Sequence, residues 1–121
     1  MRFDLMTTGL PIRRMQQLAI DAEAAGISGL VVTESGRSAY LACTAIGLAT
    51  DLDVLTGVAV AFPRSPMVTA QVAWELAELT EGRFRLGLGT QVRAHIERRY
   101  GSEFDHPGPR LKEYVQALRA I

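Results

Sequence analysis

The chain has 121 residues, 48% of them apolar, with 13 basic and 13 acidic side chains and a formal net charge of zero. That length holds one ordinary domain with one core, and the balanced charge leaves no footprint for nucleic acid or an anionic membrane as the main partner. The single Cys43 excludes an internal disulfide and fits a reducing compartment, no apolar run approaches the ~20 residues of a membrane span, and MRFDLMTTG lacks a charged-then-apolar leader, so the expected location is cytoplasmic.

Arg2 to Met6 reads as a first strand, and Thr7-Thr8-Gly9 as a turn. Pro11 suits the first position of a helix. Ile12, Met15, Leu18, Ala19, Ala22 and Ala25 recur at helical spacing, and Gly26 ends that helix. Gly29 to Thr33 is a second strand. Its unbroken Leu30-Val31-Val32 run suits a strand covered on both faces, as in parallel sheets. Ser38 can cap a nearly all-apolar helix from Ala39 to Ala49.

Asp53 to Val60 is the third strand, followed by Phe62-Pro63-Arg64. Ser65 and Pro66 then open a helix as N-cap and first-turn proline. Val68, Val72, Leu76 and Leu79 form its stripe, with Met67 and Trp74 beside them. Gly82 can end that helix in the left-handed backbone. Phe84 to Leu88 is the fourth strand. Gly89 to about Gly108 reads as one long polar loop, and length alone makes it a candidate for function. A last helix starts near Pro109, with Leu111, Tyr114, Val115, Leu118 and Ile121 as its stripe.

Strands near positions 2, 29, 53 and 84, each followed by a helix, make a βα repeat over a single domain, residues 1–121. Right-handed crossovers make the sheet parallel. Two architectures fit: a small doubly wound sheet, or about four βα units forming half of a (β/α)8 TIM barrel, whose usual length is ~250 residues.

Several motifs are set aside. Gly87-Leu88-Gly89 is followed by Val92 where a dinucleotide fingerprint needs its third glycine, and it sits at the fourth strand rather than the first. Thr33-Glu34-Ser35-Gly36 lacks the first glycine of a nucleophile elbow. His95 and His106 have no carboxylate at metal-ligand spacing, so no metal site is expected. Cys43 reads as a small buried hydrophobe.

Three strand ends remain: Glu34 after the second, Ala59 to Pro63 at the third, and Thr90 to His95 after the fourth. In a parallel barrel they converge on one rim. Each has a plainer reading. Glu34 can be a loop carboxylate paired with an arginine. His95 can be a surface or helix-end histidine. Val58 to Ala61 can be core strand.

The run Thr56-Gly-Val-Ala-Val-Ala-Phe-Pro-Arg-Ser-Pro66, with Ala70-Gln71, Trp74-Glu-Leu76, Glu81-Gly-Arg-Phe84 and Leu86-Gly-Leu-Gly-Thr90, resembles the bacterial luciferase-like monooxygenase family. Gln91 to Arg99, His106-Pro107 and Arg110 to Val115 resemble its branch that uses the deazaflavin coenzyme F420. The resemblance implies a (β/α)8 barrel with coenzyme F420, or alternatively FMN, at the C-terminal rim. It implies a non-proline cis peptide at the end of the third strand, here expected between Ala59 and Val60. Ala59, Val60, Thr90, Gln91 and His95 would then hold the ring or its polar tail. Glu34 and His95 would be the catalytic candidates near a small organic substrate. Relatives often carry His or Asp after the second strand, where this chain reads Glu34-Ser-Gly-Arg-Ser38.

The expected function is an oxidoreductase that exchanges hydride between the ring and its substrate. The alternative is a non-catalytic half barrel acting as a structural or binding subunit. Four βα units leave two open strand edges. Expected assemblies are therefore a homodimer or a pairing with a second half barrel.

Overall fold

The computed structural model describes residues 1–121. Strands β1 (Asp4–Thr8), β2 (Gly29–Thr33), β3 (Asp53–Thr56) and β5 (Phe84–Arg85) pair in parallel, side by side in chain order. A second parallel pair, β4 (Ala59–Val60) with β6 (Leu88–Gly89), carries the third and fourth strands past a break. The helices are α1 (Ile12–Ala24), α2 (Ala39–Ala49), α3 (Pro66–Leu79), α4 (Arg93–Tyr100) and α5 (Pro107–Ala120).

An in-order parallel sheet with right-handed crossovers carries every crossover helix on one side. Accordingly α1 packs on α2, α2 on α3, and α3 on α5. This is half of a (β/α)8 barrel. A doubly wound sheet, which needs helices on both faces, is excluded.

Alternation along the strands separates the two faces. Leu30, Val32 and Val54 point toward the helices and are fully buried with Met15, Ala19, Ile46 and Leu76 in the main core. On the other face one register row runs Met6, Val31, Leu55, Arg85 across the four strands. Met6 and Arg85 are exposed there, and Val31 and Leu55 are half-buried.

The helix starts and stops follow local chemistry. Ser65 Oγ accepts the Val68 N–H at 3.3 Å, with Pro66 in the first turn. Gly26 and Gly82 follow α1 and α3 with φ near +83°. No helix is long and apolar enough to cross a membrane.

Three expectations are corrected. The first strand lies at Asp4–Thr8 rather than Arg2–Met6, because its register is set by β2, with Asp4 opposite Gly29 and Thr8 opposite Thr33. Val68, assigned to the buried stripe of α3, is exposed, as are Met67 and Trp74. Only the Leu76 side of that helix meets the core. The segment from Gly89 to Gly108 is not one loop but contains α4, which buries Ile96.

Candidate functional site

The third strand carries the break that shapes the rim. Gly57 still continues the ladder, donating its N–H to Val32 O at 2.8 Å, while its carbonyl accepts the Thr33 hydroxyl at 2.8 Å. Pairing resumes at Ala59, whose N–H reaches Gly87 O at 2.8 Å. Val58 lies between, 42% exposed, and its N–H donates to no group of this chain.

The cis peptide is at Gly57-Val58, not between Ala59 and Val60 as the resemblance suggested. The backbone passes close to β2 at this point. A Cβ at position 57 would stand 2.5 Å from Val31 Cγ1, so only a glycine lets the backbone pass that close to β2. Ala59 and Val60 are back in register with Leu88 and Gly89 and are fully buried, so neither presents surface to a flat ring. The exposed residue of this segment is Val58.

The fourth strand fits around this break through its glycines. A Cβ at Gly87 would lie 2.1 Å from Thr56 O, and one at Gly89 would lie 2.6 Å from Val58 Cγ2. Leu88 packs into the core, so Gly89 faces away from the helices, and Val58 rests against it there. The Thr56 hydroxyl ties the two strands, donating to Gly87 O and accepting Gly87 N–H, both at 2.8 Å. Thr90 and Gln91 come next. Both are half-buried, and Gln91 has φ +59° with its side-chain oxygen accepting the Val92 N–H at 3.0 Å. Thr90 donates to Gln91 O at 3.0 Å.

His95 stands on the first turn of α4. Its Nδ1 is buried and has no hydrogen-bond partner. An orphaned imidazole nitrogen is costly unless a further group satisfies it. Together with the free Val58 N–H, it gives the rim two polar atoms without partners.

Glu34 follows β2 and is paired with an arginine, Arg64, its side chain only 3% exposed. Arg64 Nη1 donates to Oε2 at 2.9 Å and Nη2 donates to Oε1 at 2.5 Å. Oε2 also accepts the Val60 N–H at 2.7 Å, and Oε1 the Ala39 N–H at 3.4 Å, at the start of α2. The hydrogen bonds that Arg64 donates to Glu34 raise its guanidinium above the ordinary range, against the opposing effect of burial. The guanidinium sits 4.8 Å over the Tyr40 ring, and burial pushes the Tyr40 phenol up to about 12. Behind this pair, Thr69 and Tyr114 share a hydroxyl hydrogen bond of 2.6 Å, and Tyr114 donates to Ser65 O at 3.2 Å.

Hydrogen bonds join Glu34 to Val58 and Val60, and pairing sets Val60 opposite Gly89, directly before Thr90 and Gln91 in the chain. Two features of the rim escaped the sequence reading. Arg64 was seen only as part of a loop, although a cation four residues past a strand end is a natural partner for a carboxylate at the neighbouring strand end. Core strand was only the plainer reading of Val58, and the resemblance set the bulge two residues later. The glycine before Val58 was the available signal, since glycine inside a strand pattern marks close backbone approach.

The family model described as luciferase-like monooxygenase matches residues 2–121. The uncharacterized protein Rv1360 of Mycobacterium tuberculosis is 40% identical over 111 residues, covering 91% of this chain and 33% of its own. Rv3520c of the same organism, whose name places it provisionally among coenzyme F420-dependent oxidoreductases, is 32% identical over 113 residues, covering 92% of this chain and 33% of its own. The chain therefore spans about a third of the length of the curated relatives it matches. Among solved structures, the oxygenating constituent of 3,6-diketocamphane monooxygenase from Pseudomonas putida, in complex with FMN, superposes with a TM-score of 0.82 at 15% identity, over 98% of this chain and 38% of that one. The coenzyme F420-dependent tetrahydromethanopterin reductase of Methanopyrus kandleri superposes with a TM-score of 0.78 at 16% identity, over 95% of this chain and 38% of that one. A match over essentially the whole chain, on a half-barrel fold of the same kind, means that this chain belongs to the luciferase-like monooxygenase family.

Proposed function

We propose that the chain supplies one wall of a flavin- or deazaflavin-dependent oxidoreductase site, and that the ring, coenzyme F420 before FMN, rests on Val58. The observation that carries this reading is the Val58 protrusion. An exposed aliphatic residue stands against Gly89, which carries no side chain, and its N–H donates to no group of this chain. Ala59 and Val60 support it from beneath. Thr90, Gln91 and the orphaned Nδ1 of His95 are the polar groups that would hold the ring edge or tail. The ring, when bound, supplies hydride transfer at one carbon (deazaflavin) or nitrogen (flavin), and the protein orients it. A small organic substrate would approach at the same C-terminal rim, where the strand ends converge. Preference for F420 rests on the residues from Gln91 to Val115 and on the name of the 32%-identical relative.

The test is a titration with coenzyme F420 and with FMN followed by fluorescence, with molar mass measured in parallel. Saturable binding of one ring, lost in Val58→Asp with the fold retained, is the expected result. A folded protein that binds neither ring overturns the reading and leaves a non-catalytic structural subunit.

A further inference from the structure

Glu34 lies beside the Val58 protrusion, and its bonds bracket it. Its backbone N–H donates to Val58 O at 3.2 Å, and its carboxylate Oε2 accepts the N–H of Val60 at 2.7 Å. One residue therefore holds both ends of a three-residue stretch. Arg64 closes the bracket from the other side, donating Nη1 to Val60 O at 2.9 Å while also bonding Oε2. Both polar groups of Val60 are thus held by a single ion pair.

The occupancy of the carboxylate decides what it can do. A carboxylate offers about four acceptor directions. Glu34 fills them with the N–H groups of Ala39 and Val60 and with Nη1 and Nη2 of Arg64. No lone pair is left to take a proton from a substrate, and the side chain is almost wholly buried. Arg64 is equally committed, with Tyr40 stacked beneath its guanidinium.

We propose that Glu34 and Arg64 are a positioning pair that sets the height and orientation of the Val58 protrusion, and through it the seat of the ring, with neither side chain touching the reacting atoms. This rests on the reading of the site as a ring site only for its consequence. The placement of Val58 by the pair is independent of any ligand.

Glu34→Gln, Arg64→Lys and the double variant test it by two readouts. The first is the amide resonance of Val58 and Val60 without ligand, against Leu30 and Val54 in the same sheet as references. Both single variants should move Val58 and Val60 and leave the references in place. The second is the dissociation constant and absorption maximum of bound F420 or FMN. Each single variant should weaken binding by ~10-fold and shift the maximum, and the double variant should be no worse than the worse single one, because the same protrusion is released only once. Unmoved Val58 and Val60 amides overturn the proposal. So does an unchanged affinity and absorption maximum when the amides have moved, or a loss of turnover in Glu34→Gln with binding and spectrum intact, which would make Glu34 a proton-transfer group. If Glu34→Gln does not fold, Arg64→Lys, which keeps the charge and loses the fork, gives the same readouts. Wild-type protein that binds neither ring overturns the site reading, while the amide shifts still decide whether the pair places Val58.

Discussion

The main core and the cluster under the rim are held by different interactions. The first gathers 16 buried residues, twelve of them aliphatic, mostly from α1, α2 and the strands. The second gathers five, Val60, Ala61, Phe62, Ile96 and Tyr114, and its surroundings are polar. The Glu34–Arg64 pair lies on one side of it and the Thr69–Tyr114 hydroxyls on another. Arg110 stacks 4.3 Å over Phe62, whose ring meets Phe104 edge-on at 5.9 Å. Apolar burial is additive and tolerant of direction, so the main core fixes the sheet and helices. Hydrogen bonds and ion pairs are directional, so the rim can fix single atoms, as a site requires.

Removing one side of the ion pair should be the largest single lesion. Arg64→Ala leaves a buried carboxylate unpaired and should cost about 3–5 kcal/mol in urea unfolding. A loss under 1 kcal/mol would mean that the rim is held by apolar contacts after all. In the main core, Ile46→Ala removes a fully buried side chain and should cost about 2–5 kcal/mol without moving the Val58 amide. Displacement of that amide would show the two regions to be coupled.

Alkali should reach the α2 side of this comparison. Burial raises the Tyr40 phenol from 10.0 to about 12 and the Cys43 thiol from 9.0 to about 12. Both groups are neutral when protonated, so the unfolded chain releases these protons first. Their contribution is complete below pH 9 and is lost as pH rises through about 12. Stability measured from pH 8 to 11 should fall, and less steeply in Tyr40→Phe. A flat profile would refute the burial argument.

Tyr114→Phe strips the hydroxyl shared with Thr69 and should cost about 1–3 kcal/mol, since the Thr69 oxygen loses its partner in a buried site. The smallest effect belongs to Tyr40→Phe at neutral pH. The Tyr40 hydroxyl is buried without a hydrogen-bond partner, so its removal should change stability by no more than ~0.5 kcal/mol, or raise it. A cost above 1 kcal/mol would reveal a hydrogen bond from that hydroxyl.

Much of the scaffold was legible because its signals are local. The Leu30-Val31-Val32 run, the Ser65-Pro66 start of α3 and the glycines after α1 and α3 each act within a few residues, and β2 and α2 lie where the spacing puts them. Helix α4 was missed because its eight residues bury one apolar side chain, Ile96, and so carry no periodic stripe. Val68 was misplaced because an apolar sequence cannot say which side of a helix meets the sheet.

By itself the sequence determined the βα repeat, the family and the strand ends where a site would form, since these depend on spacing and residue type along the chain. Tertiary structure alone decided that Val58, not Ala59-Val60, stands proud, and that Glu34 spends its oxygens on Arg64, Val60 and Ala39. Both depend mainly on meetings of residues far apart in the chain, such as Thr33 with Gly57 and Glu34 with Arg64, and on the absence of a Cβ at Gly57, Gly87 and Gly89 where strands press together. Local pattern does not encode such meetings. The packing of one strand end against the next creates them.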